Sequence, residues 1–250
     1  CWPDQEIANI VGRDRAAGLV MSYISVESYE PGKVSRPGHS RMRDMGHDVF
    51  RLGLHHKEDT KEQEKIRKEL EKIRKALDVI DSSVITENLW GERWAKLCQN
   101  CMGNPVVAMS NLGTAELAGD EVCRKLQINL AREATEIGEK LGLDFDKFGG
   151  ASKDMWLQSD DKDIYLELDT MIKKRANGPN RRPSMGQDIH RGRKTEILHM
   201  SGHVLAEARA LKIDLPYTKK TMETVIQIDS GIIQPNLNNV YKIINSLENN

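Results

Sequence analysis

The sequence predicts a mostly helical α+β protein: the end of an α/β sheet followed by a large all-helical domain. Three observations lead there. Before residue 88, short β-branched runs alternate with one strongly amphipathic helical segment. Beyond it, strand signals thin out and long stretches keep the helical apolar spacing. The 250 residues suffice for two domains, and the shift in pattern divides them at 1–87 and 88–250.

Residues 4–11 (DQEIANIV) read as a short helix and 16–28 (AAGLVMSYISVES) as a strand. Pro31-Gly32 signals a turn. Val34 and residues 48–54 (DVFRLGL) suggest further strands, joined by the polar stretch 35–46. Over 62–77, Ile66, Leu70, Ile73 and Leu77 share one helical face while Glu64/Lys68 and Glu71/Lys75 pair along the other, which makes a surface helix. Residues 78–86 (DVIDSSVIT) give one more strand. Long helices are then expected over 89–109, 120–141, 163–174, 183–211 and 216–229, with final turns in 236–247. Gly142 and Ser230-Gly231 supply stop signals.

Within 89–109 (LWGERWAKLCQNCMGNPVVAM), Lys96, Asn100 and Asn104 stand four apart and therefore stack along one side of a helix. Trp90, Trp94, Leu97, Cys98, Cys101 and Met102 surround them with apolar surface, and Pro105 is expected to end or kink the element. A lysine held against a core is costly unless an anion meets it, and its pKa falls toward the range useful for proton transfer. The stripe could thus receive an anion and a polarised oxygen. The alternative is a lysine snorkelling to the surface and two capping asparagines.

A net charge of -1, from 37 basic and 38 acidic residues, provides no field favouring nucleic acid or a membrane surface, which leaves small molecules or a second copy as partners. Four cysteines are too few for a disulfide scaffold in a chain this long. No run of about 18 apolar residues offers a transmembrane helix and no basic-then-apolar leader occurs, so a cytoplasmic location is expected. Cys98 and Cys101 form a C-x-x-C, but inside an apolar helical pattern, where packing is the better reading. His199 and His203, with Glu196 before them, resemble a metal face; no glutamate follows the first histidine as the zinc-protease pattern requires, so no metal is expected.

A second polar group lies in 176–196 (ANGPNRRPSMGQDIHRGRKTE). Ser184 with Gln187 three residues on forms a capping-box pattern, and the same helix start could meet a substrate carboxylate. Glu196 is twelve residues further, about 18 Å along a straight helix. Either the helix breaks near Gly186 or Gly192, or the two residues meet different parts of a larger ligand pair; a merely solvated Glu196 beside Arg193 and Lys194 is the plain alternative.

WAKLCQNCMGNP (94–105) and PSMGQDIHRGRKTEI (183–197), in this order and at this separation, resemble the ketopantoate reductase family. The stretch from Gly202 (GHVLAEARALKIDLP) is similar as well, and residues 6–53 more loosely so. The resemblance implies a remnant of a Rossmann-type NADP-binding domain in 1–87 and a helical substrate domain like the C-terminal part of 6-phosphogluconate dehydrogenase in 88–250. It implies reduction of 2-dehydropantoate (ketopantoate) to pantoate with NADPH. Lys96 would be the general acid, Asn100 and Asn104 would hydrogen-bond the substrate, Ser184 would hold its carboxylate end, and Glu196 would bind near the nicotinamide ribose. A homodimer is a further expectation, and the alternatives in function are a reductase for another 2-oxo acid or a non-catalytic helical dimerisation module lacking the cofactor domain. One departure stands out. No G-x-G-x-x-G occurs and the first residue is Cys, so the chain is expected to be a fragment, inactive alone.

Overall fold

The computed structural model describes residues 3–23, 26–35, 42–45, 47–54 and 60–248. They divide into two compact units, Trp2–Arg93 and Trp94–Asn250, and the division falls inside a helix.

The first unit holds α1 (Pro3–Val11), the strands β1 (Gly18–Met21), β2 (Glu27–Glu30), β3 (Lys33–Ser35), β4 (Phe50–Gly53) and β5 (Ser83–Ile85), and α2 (Thr60–Leu77). The sheet order is β1-β4-β5: β4 and β5 run parallel, and α2 is the crossover that such a pair needs. β1 pairs antiparallel to β4 with Gly18 opposite Gly53, while β2 and β3 form a separate hairpin. Val49, Phe50 and Leu52 bury against Ile66 and Leu70 of α2, two of the four residues on the predicted apolar face. The strand expected over 16–28 is interrupted: β1 stops at Met21, and Tyr23 takes a φ of 58°, outside extended backbone. The strand expected from residue 78 begins only at Ser83, since Asp78 and Ile80 still bond back to Arg74 and Leu77. Buried Asp81 then accepts the backbone N–H groups of Met42, Arg43 and Ser82. Of the connection 35–46, residues 36–41 and 46 lie outside the described residues.

The second unit is built on α3 (Leu89–Ser110) from Trp94 onward, α4 (Thr114–Gly119), α5 (Glu121–Lys140), α6 (Lys153–Leu157), α7 (Lys162–Lys173), α8 (Ser184–His190), α9 (Ser201–Leu211), α10 (Pro216–Asp229) and α11 (Leu237–Glu248). A two-residue hairpin, β6 (Lys147–Phe148) with β7 (Ala151–Ser152), interrupts the expected all-helical run. Cys98, Val106, Leu126, Leu130, Ile137, Trp156, Leu168, Val204, Val225 and Val240 belong to its core. α5 is the axis of this packing. Trp94 Nε1 donates to the Ala134 carbonyl at 3.0 Å, and a Cβ on Gly138 would meet that indole nitrogen at 2.2 Å, so the close approach requires glycine there.

α3 covers the expected 89–109 and closes at Ser110 with Pro105 inside it; proline removes the bond to the Cys101 carbonyl, and burial of Val106, Val107, Ala108 and Met109 outweighs that loss. The helix expected over 183–211 is instead α8, a 3₁₀ turn at Ile197–His199, and α9. Among the described residues no helix is long and apolar enough to cross a membrane, and no group of His, Cys, Asp and Glu could hold a metal ion.

Candidate functional site

α3 separates two kinds of surface. One flank is core: Cys98 and Cys101 are buried among apolar neighbours, and burial pushes both thiols up, Cys101 to about 12. Such thiols are packing groups, not nucleophiles. His203 of α9 stands edge-on to Trp94 with centroids 6.0 Å apart and faces Glu207 at 3.9 Å, while His199 is exposed. Burial lowers the His203 pKa.

The other flank carries the polar line. Lys96 and Asn100 are half-buried, and Asn104 is 9% exposed. Burial holds the Lys96 ammonium below the usual lysine range, and no described residue offers it a hydrogen bond or an opposite charge. A cation in this condition has lost hydration without gaining a partner, which leaves it able to take an anionic ligand or give up a proton. At about 100° per residue, Gly103 and Val107 fall within roughly 20° of Lys96 around the axis, so this flank continues for three turns.

Ser184 and Glu196 come together. α8 ends in a Schellman arrangement: Gly192 takes a φ of 64°, its N–H bonds to the Ile189 carbonyl at 3.0 Å, and the Arg193 N–H reaches the Asp188 carbonyl at 2.8 Å. The chain reverses, and the Ser184 hydroxyl donates to Glu196 Oε1 at 3.5 Å, a long bond. The straight-helix separation of about 18 Å therefore does not apply. The capping box does not form either: Pro183 occupies the cap position, and Gln187 Nε2 donates to the Arg182 carbonyl at 2.9 Å. Both residues of the pair are exposed.

The pair belongs to the same side of α3 as the lysine. A Cβ on Gly186, in the first turn of α8, would meet Val107 Cγ1 at 2.5 Å, so α8 sits directly on that flank. The preceding loop is tied to the end of α3 and the start of α4. Arg182 Nη1 donates to Asn111 Oδ1 at 2.9 Å, and Asn180 Oδ1 accepts the Ala115 N–H at 3.0 Å.

Sequence reasoning missed one residue that matters for this arrangement. Asp229, at the end of α10, accepts the Thr195 N–H on both carboxylate oxygens at 3.2 Å and the Thr195 hydroxyl at 2.7 Å, which pins the residue directly before Glu196. An acidic residue at a helix end carries no sequence signal for such a long-range partner. Replacing Asp229 by alanine is expected to cost about 1–3 kcal/mol, read by urea unfolding, and to speed exchange of the Thr195 amide hydrogen. Unchanged exchange at Thr195 would show that the turn holds without the carboxylate.

The sequence model of the family described as "Ketopantoate reductase PanE/ApbA C terminal" matches residues 88–229, more than half of the chain. A 2-dehydropantoate 2-reductase from Pyrococcus horikoshii is 25% identical over 132 residues, covering 53% of this chain and 38% of that protein. Among solved structures, D-mandelate dehydrogenase in ternary complex with NADH and anilino(oxo)acetate superposes with a TM-score of 0.69 at 16% identity, covering 93% of this chain and 66% of that one. The 2-dehydropantoate 2-reductase of Geobacter metallireducens gives 0.68 at 21%, covering 91% and 65%. The chain thus spans about two-fifths of the length of the curated relative and about two-thirds of the structural ones, and the structural likeness speaks for the fold. The match over residues 88–229 takes in Lys96, both asparagines, Ser184 and Glu196, and by it the chain belongs to the ketopantoate reductase family.

Proposed function

We propose that this chain supplies the substrate-binding and proton-donating residues of an NADPH-dependent 2-oxo acid reductase, with 2-dehydropantoate as substrate. The observation that carries the reading is Lys96, a desolvated ammonium with no described partner, in line with two asparagines inside the family segment. The Lys96 ammonium hands its proton to the C2 oxygen as that oxygen gains charge. Asn100 and Asn104 donate amide N–H groups to the substrate's oxygens. The Ser184 hydroxyl turns from Glu196 to the substrate carboxylate. Glu196, released from that hydroxyl, would accept a hydrogen bond from the ribose of the dinucleotide.

The residues present do not form a complete dinucleotide site. No G-x-G-x-x-G occurs in the sequence, and β5 passes into α3 through Thr86-Glu87-Asn88, where Asn88 Oδ1 caps the Gly91 N–H, the Thr86 hydroxyl donates to Glu92, and no glycine turn faces a pyrophosphate. No step through the dinucleotide follows from these residues.

The test is dinucleotide oxidation by the protein that carries this chain, with NADPH and NADH, and with ketopantoate beside other 2-oxo acids. Fastest turnover with NADPH and ketopantoate supports the proposal. A preference for a different 2-oxo acid keeps the chemistry and replaces the substrate, an outcome that the D-mandelate dehydrogenase fold makes worth measuring. No turnover with any 2-oxo acid discards it.

A further inference from the structure

α3 carries a glycine that its own packing does not explain. A Cβ on Gly103 would meet no atom within 4 Å, whereas at Gly138 it would meet Trp94 at 2.2 Å and at Gly186 it would meet Val107 at 2.5 Å. Nor does the backbone require glycine, since Gly103 lies in the body of a continuous helix and its φ is not positive. Glycine there weakens the helix and gains no contact. Its place is informative: it lies three residues after Asn100 and seven after Lys96, within about 20° of the lysine around the helix axis.

A second observation, about 80° from Lys96 around the same helix, points to a ligand beside this flank. Asn104, the next residue, is 9% exposed, yet no described residue bonds to its amide, and its amide atoms are not among the fully enclosed ones. A largely desolvated amide that still reaches open space is costly unless something outside the fold completes it.

We propose that Gly103 is a specificity position: the bare strip it leaves on α3 takes the branched or aromatic substituent on C2 of a 2-oxo acid. This rests on the reductase reading above. With the C2 oxygen at Lys96 and the polar groups at the two amides, the rest of the substrate is apolar and needs room beside Asn100. Gly103 gives that room, and Val107, one turn on and buried, walls its far end. A Cβ at 103 would enter the space without meeting the fold.

The experiment compares the parent protein with Gly103→Ala and Gly103→Leu. kcat/KM is measured for ketopantoate and phenylglyoxylate, which are bulky, and for pyruvate and 2-oxobutanoate, which are small. The leucine variant is expected to lose about 10²-fold on the bulky acids relative to the small ones, and the alanine variant several-fold. A second readout is the rise in melting temperature given by pantoate and by lactate: the leucine variant should keep the response to lactate and lose that to pantoate. Since a Cβ there meets nothing, the alanine variant should melt no lower than the parent; if leucine disturbs folding, alanine carries the test. An unchanged bulky-to-small ratio, or equal loss on every acid, overturns the inference and leaves the reductase reading standing. A parent that reduces no 2-oxo acid overturns the reading itself.

Discussion

Lys96→Ala is expected to lower kcat/KM for the 2-oxo acid by about 10²–10⁴-fold, the range lost with a general acid. If Lys96 is the donor it must hold the ammonium form, so activity is expected to be full below its pKa and to fall as pH rises through it. Burial sets that pKa below the free value of 10.5, which places the alkaline limb of the profile below pH 10.5. Lys96→Ala should erase that limb along with most of the rate; an alanine variant with the parent's limb would assign it to another group. Stability moves the opposite way. Between the lowered folded pKa and 10.5 the unfolded chain holds the proton that the folded one has lost, so the parent gains stability as pH rises across that window. Lys96→Met removes a desolvated cation without a described partner and should stabilise by about 1 kcal/mol near neutral pH, with the advantage shrinking toward pH 10.5. Inactivity joined to higher stability is the signature of a residue kept for its chemistry.

The largest effect on stability is expected at Glu133. It lies on α5 at 4% exposure, and its carboxylate accepts the N–H groups of Tyr217 at 3.0 Å and Thr218 at 2.7 Å, in the first turn of α10. Those donors have no partner within their own helix, so a side chain from another helix caps them. Glu133→Ala leaves both unsatisfied against the core and should cost about 3 kcal/mol, a fall in Tm of roughly 10 °C for a chain of this size. Burial raises the Glu133 pKa against the lowering pull of the Thr218 and Tyr217 donors. The folded chain therefore holds a proton that the unfolded one has released. This contribution is full below the ordinary carboxylate value of 4.5 and is lost as pH rises through the raised folded pKa. Glu133→Gln keeps an acceptor and should show a smaller loss with that pH dependence gone. A Tm for the alanine variant within a degree or two of the parent would show that the cap is dispensable.

Local patterns in the sequence set much of this molecule. α2, α5, α10 and α11 form where apolar spacing and stop residues place them, because those signals act within one or two turns of chain. The same holds for Lys96, Asn100 and Asn104 on one flank of α3, since a spacing of four needs only the helix to exist. Gly192 was legible too as a place where the helix could break, by its freedom to take a positive φ.

Only tertiary structure decided the rest. Periodicity across 183–211 favoured one long helix, and the reversal after α8 won because Thr195 finds Asp229, thirty-four residues away. Pro105 stays inside α3 because the residues after it are buried, a gain no local propensity contains. Glu133 and Asp229 look in sequence like solvated acids; each is defined by backbone donors on another element. The contact between Ser184 and Glu196 belongs to the same class, since hydrogen bonds between segments distant in sequence depend on where the core places them.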